Sequence, residues 1–138
     1  MHLPVVNNVA VLVSGVVIFM LGGLWYSPVL FAKRWVALIG KTEAELKANA
    51  GNMPMSYLVV LLCGLITAYV MALVVGNFAP GSAVDGAIIG ALCWAGFAGA
   101  TSYGSAVFGG KPKALWLIDS GFNLAAFIVA GIILALWR

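Results

Sequence analysis

Four long apolar segments dominate the pattern of hydrophobic and polar positions along the chain. Each segment is long enough for a helix to cross roughly 30 Å of hydrocarbon, because a helix rises about 1.5 Å per residue and so needs about 20 residues. The segments are 5–26, 53–77, 83–108 and 113–137. The pattern therefore predicts an all-α integral membrane protein with four transmembrane helices, built as one domain over residues 1–138.

Two shorter helices are predicted in the more polar stretch between the first and second spans. Ser27 and Pro28 suit the start of a helix over 28–39. Its apolar positions recur at helical spacing and form one face: Phe31, Trp35, Leu38 and Ile39. Such an amphipathic helix lies in the membrane interface with its apolar face buried. A capping box in Thr42-Glu43-Ala44-Glu45 predicts a second short helix over 43–49.

Composition excludes an ordinary soluble domain. Hydrophobic residues make up 64% of the chain, charged residues make up 8%, and the mean hydropathy is +1.11. The pI of about 9.1 does not indicate nucleic-acid binding, because the basic residues lie at the ends of apolar segments and form no basic surface with interleaved aromatic residues. We therefore expect membrane lipids as partners, and no nucleic acid.

The distribution of positive charge predicts the orientation in the membrane. Six lysine and arginine residues lie between spans one and two or between spans three and four: Lys33, Arg34, Lys41, Lys47, Lys111 and Lys113. Only Arg138 lies on the opposite side. Because loops rich in lysine and arginine stay in the cytoplasm, we expect both basic loops inside the cytoplasm and both termini outside it.

A short likeness between two parts of the chain admits two explanations. "YSPVLFAK" (26–33) resembles "YGSAVFGGK" (103–111), since each has a tyrosine, a phenylalanine and then a lysine where a span ends. The likeness fits two parallel helix-pair repeats related by an axis along the membrane normal. It fits equally well the shared requirements of any helix that leaves a bilayer next to a basic loop.

Small residues are concentrated in the third span. The spacing of small residues that lets helices approach closely in lipid occurs three times: Gly86-x-x-x-Gly90, Gly96-x-x-x-Ala100 and Ala100-x-x-x-Gly104. This pattern predicts that the third span is central in the bundle, and it favours a homo-oligomer held by small-residue faces. Tight packing without a ligand explains the small residues adequately.

Asp119 is the most informative polar residue, because it lies about 9 Å along the fourth span from Lys113, where an isolated charge is costly. Asn123 follows on the same helical face. Tyrosines and a serine near the same ends of spans one and three complete the candidate intramembrane polar site, which comprises Asp119, Asn123, Tyr26, Tyr103 and Ser105. Four cations are candidates for contact with anionic headgroups: Lys33, Arg34, Lys111 and Lys113.

Two interpretations of Asp119 compete. In the structural one it is ion-paired with a loop lysine or arginine and hydrogen-bonded to a tyrosine or Asn123, which would lock the loops to the bundle. In the functional one it handles a proton or cation, or anchors a substrate amine, as ionisable residues within membranes often do.

Catalytic and metal-binding motifs are not found. His2 is the one histidine, and Cys63 and Cys93 fall on different spans without an accompanying base. There is no phosphate-binding loop and no serine-histidine-aspartate set. The sequence therefore indicates no catalytic residue, no metal site and no cofactor.

Two stretches carry a family resemblance. They are "NNVAVLVSGVVIFMLGGLWYSPVLFAKRW" (7–35) and "FGGKPKALWLIDSGFNLAAFIVAGIILAL" (108–136). Through these stretches the chain resembles the small four-helix bacterial membrane proteins of the domain of unknown function 1761 family. The resemblance covers nearly the whole chain, and its most specific part is the aromatic-rich segment 24–35. It implies a four-helix integral membrane fold in a bacterial inner membrane. It supplies no established activity and no catalytic residues.

These observations favour a non-enzymatic membrane module that binds anionic lipid or a partner protein. One alternative is a small transporter or channel that uses Asp119 and Asn123. Another is a membrane enzyme acting on a lipid or quinone, which would need a water-accessible cavity lined by Asp119 and the tyrosines.

Overall fold

The computed structural model describes residues 1–138, apart from the side chain of residue 50, as a bundle of helices. Seven α-helices and one π-helical segment follow one another along the chain: α1 (Asn8–Trp25), α2 (Ala32–Ile39), α3 (Glu43–Ala50), α4 (Met53–Phe78), α5 (Ala83–Cys93), the π segment (Trp94–Gly99), α6 (Ala100–Phe108) and α7 (Lys113–Leu136). The π segment joins α5 and α6 into one span. Four helices are thus long and apolar enough to cross a membrane, as the sequence predicted.

Polar side chains cap three of these spans. The Asn7 side chain accepts hydrogen bonds from the backbone N–H groups of Val9 and Ala10 at the start of α1. Asn52 caps α4 in the same way, and the Ser82 hydroxyl caps α5 by accepting from the Asp85 backbone N–H at 3.2 Å. Each cap satisfies an N–H group that has no partner within its helix, which fixes where the span begins.

The helix predicted over 28–39 begins later, at Ala32. Ser27 does not cap it, because the Ser27 hydroxyl donates to the carbonyl of Leu24 at 2.6 Å and so closes the end of α1. A turn follows, in which the backbone N–H groups of Leu30 and Ala32 both bond to the Ser27 carbonyl. The second short helix begins as predicted, with Thr42 accepting from the Glu45 backbone N–H, and extends to residue 50.

Helix α7, not the third span, is central in the bundle. It packs against α1, α4, α5 and α6, and also against the short helix α2. The small residues of the third span serve one neighbour: a Cβ on Gly90 would overlap the backbone of Phe127, and a Cβ on Gly86 would overlap that of Gly131. By contrast, a Cβ on Gly104 would meet nothing within 4 Å. The expectation of a central third span is therefore corrected.

The two ends of the bundle differ in composition. At one end lie α2, α3, the turn that joins them, the loop between α6 and α7, and the first residue of α7. Together they contain six of the seven lysine and arginine residues, and we call this the basic end. The other end holds both termini, because Pro4 and Val5 line the same small cavity as Trp137 and Arg138. This arrangement follows from four spans that alternate in direction.

Candidate functional site

Asp119 lies in α7 near the basic end and accepts two hydrogen bonds through one oxygen. The Tyr26 hydroxyl, just beyond the end of α1, donates to Asp119 Oδ1 at 2.6 Å. The indole N–H of Trp35, on α2, donates to the same oxygen at 3.0 Å. A single carboxylate therefore joins α1, α2 and α7, and its orientation is set by two donors from separate elements.

Aromatic rings enclose this contact. The Tyr26 ring packs edge-on against Trp35 and Phe122, with ring centroids 5.8 and 5.7 Å apart. Trp25 packs beside Phe31 at 5.0 Å, and its indole N–H donates to the carbonyl of Ile118. Tyr26 and Trp25 thus anchor α1 to α7 as well as marking the end of the span. The apolar face predicted for α2 lies at least partly against the protein.

A second side of Asp119 borders a small cavity between α6 and α7, which we call the Asp119 cleft. Its volume is about 110 Å³. Its lining residues are Ser102, Ala106, Lys111, Leu115, Trp116, Asp119, Ser120 and Asn123. Its oxygen-bearing side chains, one of them a carboxylate, suit a ligand that donates hydrogen bonds or carries positive charge.

Ser120 has an unusual position in this cleft. Only 3% of its surface is exposed, and among the described side chains its hydroxyl is one of two buried polar groups without a hydrogen-bond partner. Burying an unpaired hydroxyl costs free energy, so most buried polar groups in proteins are satisfied. Its neighbour Ser102 is satisfied, because Ser102 accepts from the Trp116 indole N–H and donates to the Gly99 carbonyl.

A larger cavity adjoins the Asp119 cleft, and we call it the lysine cavity. Its volume is about 270 Å³, and its lining residues are Tyr103, Ala106, Val107, Gly110, Lys111, Lys113 and Trp116. Tyr103 and Trp116 pack edge-on with ring centroids 4.9 Å apart. The two cavities share Ala106, Lys111 and Trp116, so they lie side by side. One is bordered by a carboxylate and the other by two cations.

The candidate residues named from the sequence divide between these features. Asp119 and Asn123 line the cleft together, and Tyr26 binds Asp119 directly. Tyr103 lines the lysine cavity with Lys111 and Lys113. The remaining three side chains lie elsewhere: Ser105 is exposed and donates to the Thr101 carbonyl within its own helix, and Lys33 and Arg34 are exposed on α2.

Neutral donors, not cations, contact the Asp119 carboxylate. Across the described side chains, no lysine or arginine forms an ion pair with it, and its hydrogen-bond partners are Tyr26 and Trp35. Among the sequence-derived interpretations, the tyrosine partner is therefore present and the ion pair is not. Lys111 borders the cleft without reaching the carboxylate.

Sequence reasoning missed several residues of the site, chiefly tryptophans. Trp35 binds Asp119, Trp94 donates its indole N–H to the Ser120 carbonyl, and Trp116 lines both cavities. Trp35 and Trp116 lie near span ends, where tryptophans are ordinarily explained as interface anchors, and this hides a role in contacts between helices. Ser120 offered a usable signal, because it is a second polar residue directly beside Asp119 in an apolar helix.

The π segment helps to place Trp94 against α7. Here the backbone N–H of Ala100 bonds to the Ala95 carbonyl, five residues earlier, which inserts one residue into the helical turn. Such insertions reorient side chains and are frequent near functional sites. The Trp94 ring packs over Gly99 while its indole N–H reaches the Ser120 carbonyl at 2.9 Å.

The four apolar spans and the polar cluster at their basic end define an all-helical, multi-pass membrane protein. The sequence profile of one family matches residues 9–135, nearly the whole chain, and that family is described as "Protein of unknown function (DUF1761)". The chain belongs to this family. No curated protein and no solved structure matches it.

Proposed function

We propose that this protein is a non-enzymatic module of the bacterial inner membrane that binds the headgroup of a phospholipid at its basic end. The observation that carries the proposal is the lysine cavity, in which Lys111 and Lys113 border a volume of about 270 Å³ beside the rings of Tyr103 and Trp116. Lysine ammonium groups are common phosphate ligands, and tyrosine and tryptophan suit the headgroup level of a membrane.

The lysine cavity continues along the outside of α7. A neighbouring cavity of about 300 Å³ is lined by Tyr103, Lys113, Trp116 and Leu117. Leu117 is 61% exposed, so apolar surface extends from the lysines towards the middle of the span. A lipid could place its phosphate between the two lysines and lay an acyl chain on Leu117, which a soluble anion could not do.

Excess positive charge favours anionic lipids over neutral ones at this end. No ion pair within the described part of the chain neutralises Lys33, Arg34, Lys111 or Lys113. Each lysine or arginine near a membrane surface contributes about 1 kcal/mol of attraction to anionic lipid. Lys33 and Arg34, exposed on α2, would supply this general attraction, whereas Lys111 and Lys113 line the cavity itself.

The basic end is assigned to the cytoplasmic side, and both termini to the periplasmic side, because six of the seven lysine and arginine residues lie at the basic end. Modification of tags fused to either terminus by a reagent that cannot cross the membrane tests this assignment. Labelling in intact spheroplasts agrees with it, and labelling only after lysis contradicts it.

The test of lipid binding is native mass spectrometry of the purified protein with an equimolar mixture of phosphatidylglycerol and phosphatidylcholine. We expect the wild type to retain phosphatidylglycerol preferentially. The double variant Lys111→Gln/Lys113→Gln should lose most of that preference, and Lys33→Gln/Arg34→Gln should lose part of it. Lys41→Gln/Lys47→Gln, a matched removal of two positive charges from outside the cavity, should retain it. Equal binding by all four proteins would overturn the proposal.

The same spectra report the oligomeric state. We propose a homo-oligomer, supported by an outward-facing row of small residues in the third span: Gly96, Ala100 and Gly104 are all exposed. A Cβ on Gly96 or Gly104 would meet nothing within 4 Å, so this row is available to a second copy. A protein that is monomeric under every mild extraction condition would contradict the oligomer.

A small transporter or channel using Asp119 and Asn123 is the second candidate function. The Asp119 cleft favours it, because Asp119 and Asn123 border one cavity together with Ser120, whose buried hydroxyl has no partner. Two features count against a transporter or channel. The cleft measures only about 110 Å³, and none of its lining residues lies further along α7 from the basic end than Asn123, so the cleft lies at one end of the span. A headgroup site needs access from one side only, so lipid binding is the better supported function.

A further inference from the structure

The Asp119 cleft has an unexplained feature, which is the buried and unpartnered hydroxyl of Ser120. Within the described structure, neither Oδ2 of Asp119 nor the side-chain amide of Asn123 has a hydrogen-bond partner. Three residues whose side chains have unused acceptor oxygens therefore border one small cavity: Asp119, Asn123 and Ser120. A ligand with several N–H donors and a positive charge matches this set better than an anion or an apolar group does.

The size of the cleft admits a small cationic group. About 10–15 Å³ of such space is enough for one water molecule, so a cavity of about 110 Å³ holds a primary ammonium group with several water molecules. A primary ammonium group has three N–H donors, which suits a cleft bordered by several oxygen-bearing side chains.

The neighbouring lysine cavity indicates where such an ammonium group would come from. The two cavities share Lys111, Trp116 and Ala106, so a phosphate held by Lys111 and Lys113 would lie beside the cleft. In phosphatidylethanolamine the phosphate and the primary ammonium group are joined by a short ethylene link. One headgroup could therefore occupy both cavities, with its negative group at the lysines and its positive group at the aspartate.

We propose that the Asp119 cleft binds the primary ammonium group of an amine-bearing phospholipid whose phosphate occupies the lysine cavity. This inference rests on the proposed function and adds a basis for headgroup selectivity. Tyr26 and Trp35 act as positioning residues: their bonds to Oδ1 hold the carboxylate so that Oδ2 remains available. Phosphatidylcholine lacks N–H donors on its trimethylated nitrogen, so it could not donate a hydrogen bond to these side chains.

The experiment is native mass spectrometry with equimolar phosphatidylethanolamine and phosphatidylcholine of identical acyl chains, two lipids of equal net charge. We expect the wild type to prefer phosphatidylethanolamine by roughly tenfold, which corresponds to one charge-assisted hydrogen bond. Asp119→Asn should bring the ratio close to one. Asp85→Asn, a matched change of an exposed aspartate at the opposite end of the bundle, should leave the ratio at its wild-type value.

A second variant keeps the test decisive if Asp119→Asn folds poorly. Ser120→Ala removes the unpartnered hydroxyl but breaks none of the described hydrogen bonds, because the bond from Trp94 goes to the Ser120 backbone carbonyl. We expect this variant to fold and to show a reduced preference for phosphatidylethanolamine.

The outcomes separate this inference from the proposed function. A wild-type ratio of one, or an unchanged ratio in both cleft variants, overturns the ammonium site even if Lys111→Gln/Lys113→Gln still weakens phospholipid binding. If the lysine substitutions have no effect on any lipid, the proposed function itself fails.

Discussion

Oδ1 of Asp119 accepts both hydrogen bonds described for this carboxylate, from Tyr26 and from Trp35. The donors come from α1 and α2, while Asp119 belongs to α7, so one side chain holds three elements together. Hydrogen bonds to a carboxylate are shorter and stronger than those between neutral groups, which agrees with the 2.6 Å distance to the Tyr26 hydroxyl. Asp119 therefore has a structural role through Oδ1, separate from any ligand at Oδ2.

Removal of the Tyr26 hydroxyl tests this role. Tyr26→Phe keeps the ring packing against Trp35 and Phe122 but leaves Asp119 Oδ1 with one donor, and we expect a loss of about 1–3 kcal/mol in the free energy of unfolding. Unfolding in mixed micelles measures the change. Tyr69→Phe is the matched control, because Tyr69 is 44% exposed on α4 and has no described hydrogen bond. Equal stability of the two variants would mean that the Tyr26 bond contributes nothing.

At the residue scale the sequence could identify the acceptor but not its donors. Asp119 and Asn123 are conspicuous because charged and amide side chains are rare in an apolar span. Trp35 could not be assigned as a donor, because its partner lies 84 residues away and a tryptophan beside a span is equally consistent with the interface. Tyr103 was grouped with Asp119 by depth alone, and depth does not specify which side of the bundle a side chain faces.

At the scale of elements, α5 and α7 approach each other closely enough for their backbones to be in contact. Gly86 and Gly90 on α5 face Gly131 and the backbone of Phe127 on α7, with no room for a Cβ on any of the three glycines. Without a hydrophobic effect between helices in lipid, this close packing is a main source of their association. It also holds the third span at the distance from α7 that forms both cavities.

A methyl group at this contact should separate the two helices. Gly90→Ala would place a Cβ against the Phe127 carbonyl, and because backbone cannot yield as a side chain can, we expect a destabilisation of about 1–3 kcal/mol. Thermal unfolding in detergent measures it. Gly23→Ala on α1, where a Cβ would meet nothing within 4 Å, should be neutral or slightly stabilising. A Gly90→Ala protein as stable as the Gly23→Ala protein would contradict close packing at this site.

The boundaries of the spans were largely predictable, and the helix at the centre of the bundle was not. Apolar length locates a helix in the chain, and the spans predicted to begin at residues 53 and 83 do begin there, where the Asn52 and Ser82 side chains cap them. A row of small residues shows that a helix can pack closely but does not show how many neighbours it has. Ser27 misled the prediction of α2 because its hydroxyl closes the preceding helix.

At the scale of the whole molecule, charge is segregated between the ends. The basic end carries six of the seven lysine and arginine residues together with Asp119, and the other end carries both termini. Two adjoining cavities at the basic end, one bordered by Lys111 and Lys113 and the other by Asp119, give it complementary positive and negative sites. This juxtaposition suits a phospholipid headgroup better than a simple ion.

The phosphate-binding cavity at the basic end is tested most directly by the proximity of lysine nitrogen to lipid phosphorus. Solid-state NMR measures this proximity through ¹⁵N–³¹P dipolar dephasing. The protein would carry ¹⁵N-labelled lysine ammonium groups in bilayers of phosphatidylethanolamine and phosphatidylglycerol, and single lysine-to-glutamine variants would assign the signals. We expect strong dephasing of the Lys111 and Lys113 signals and weak dephasing of those of Lys41 and Lys47. Equal dephasing of all four signals would contradict a phosphate-binding cavity at the basic end.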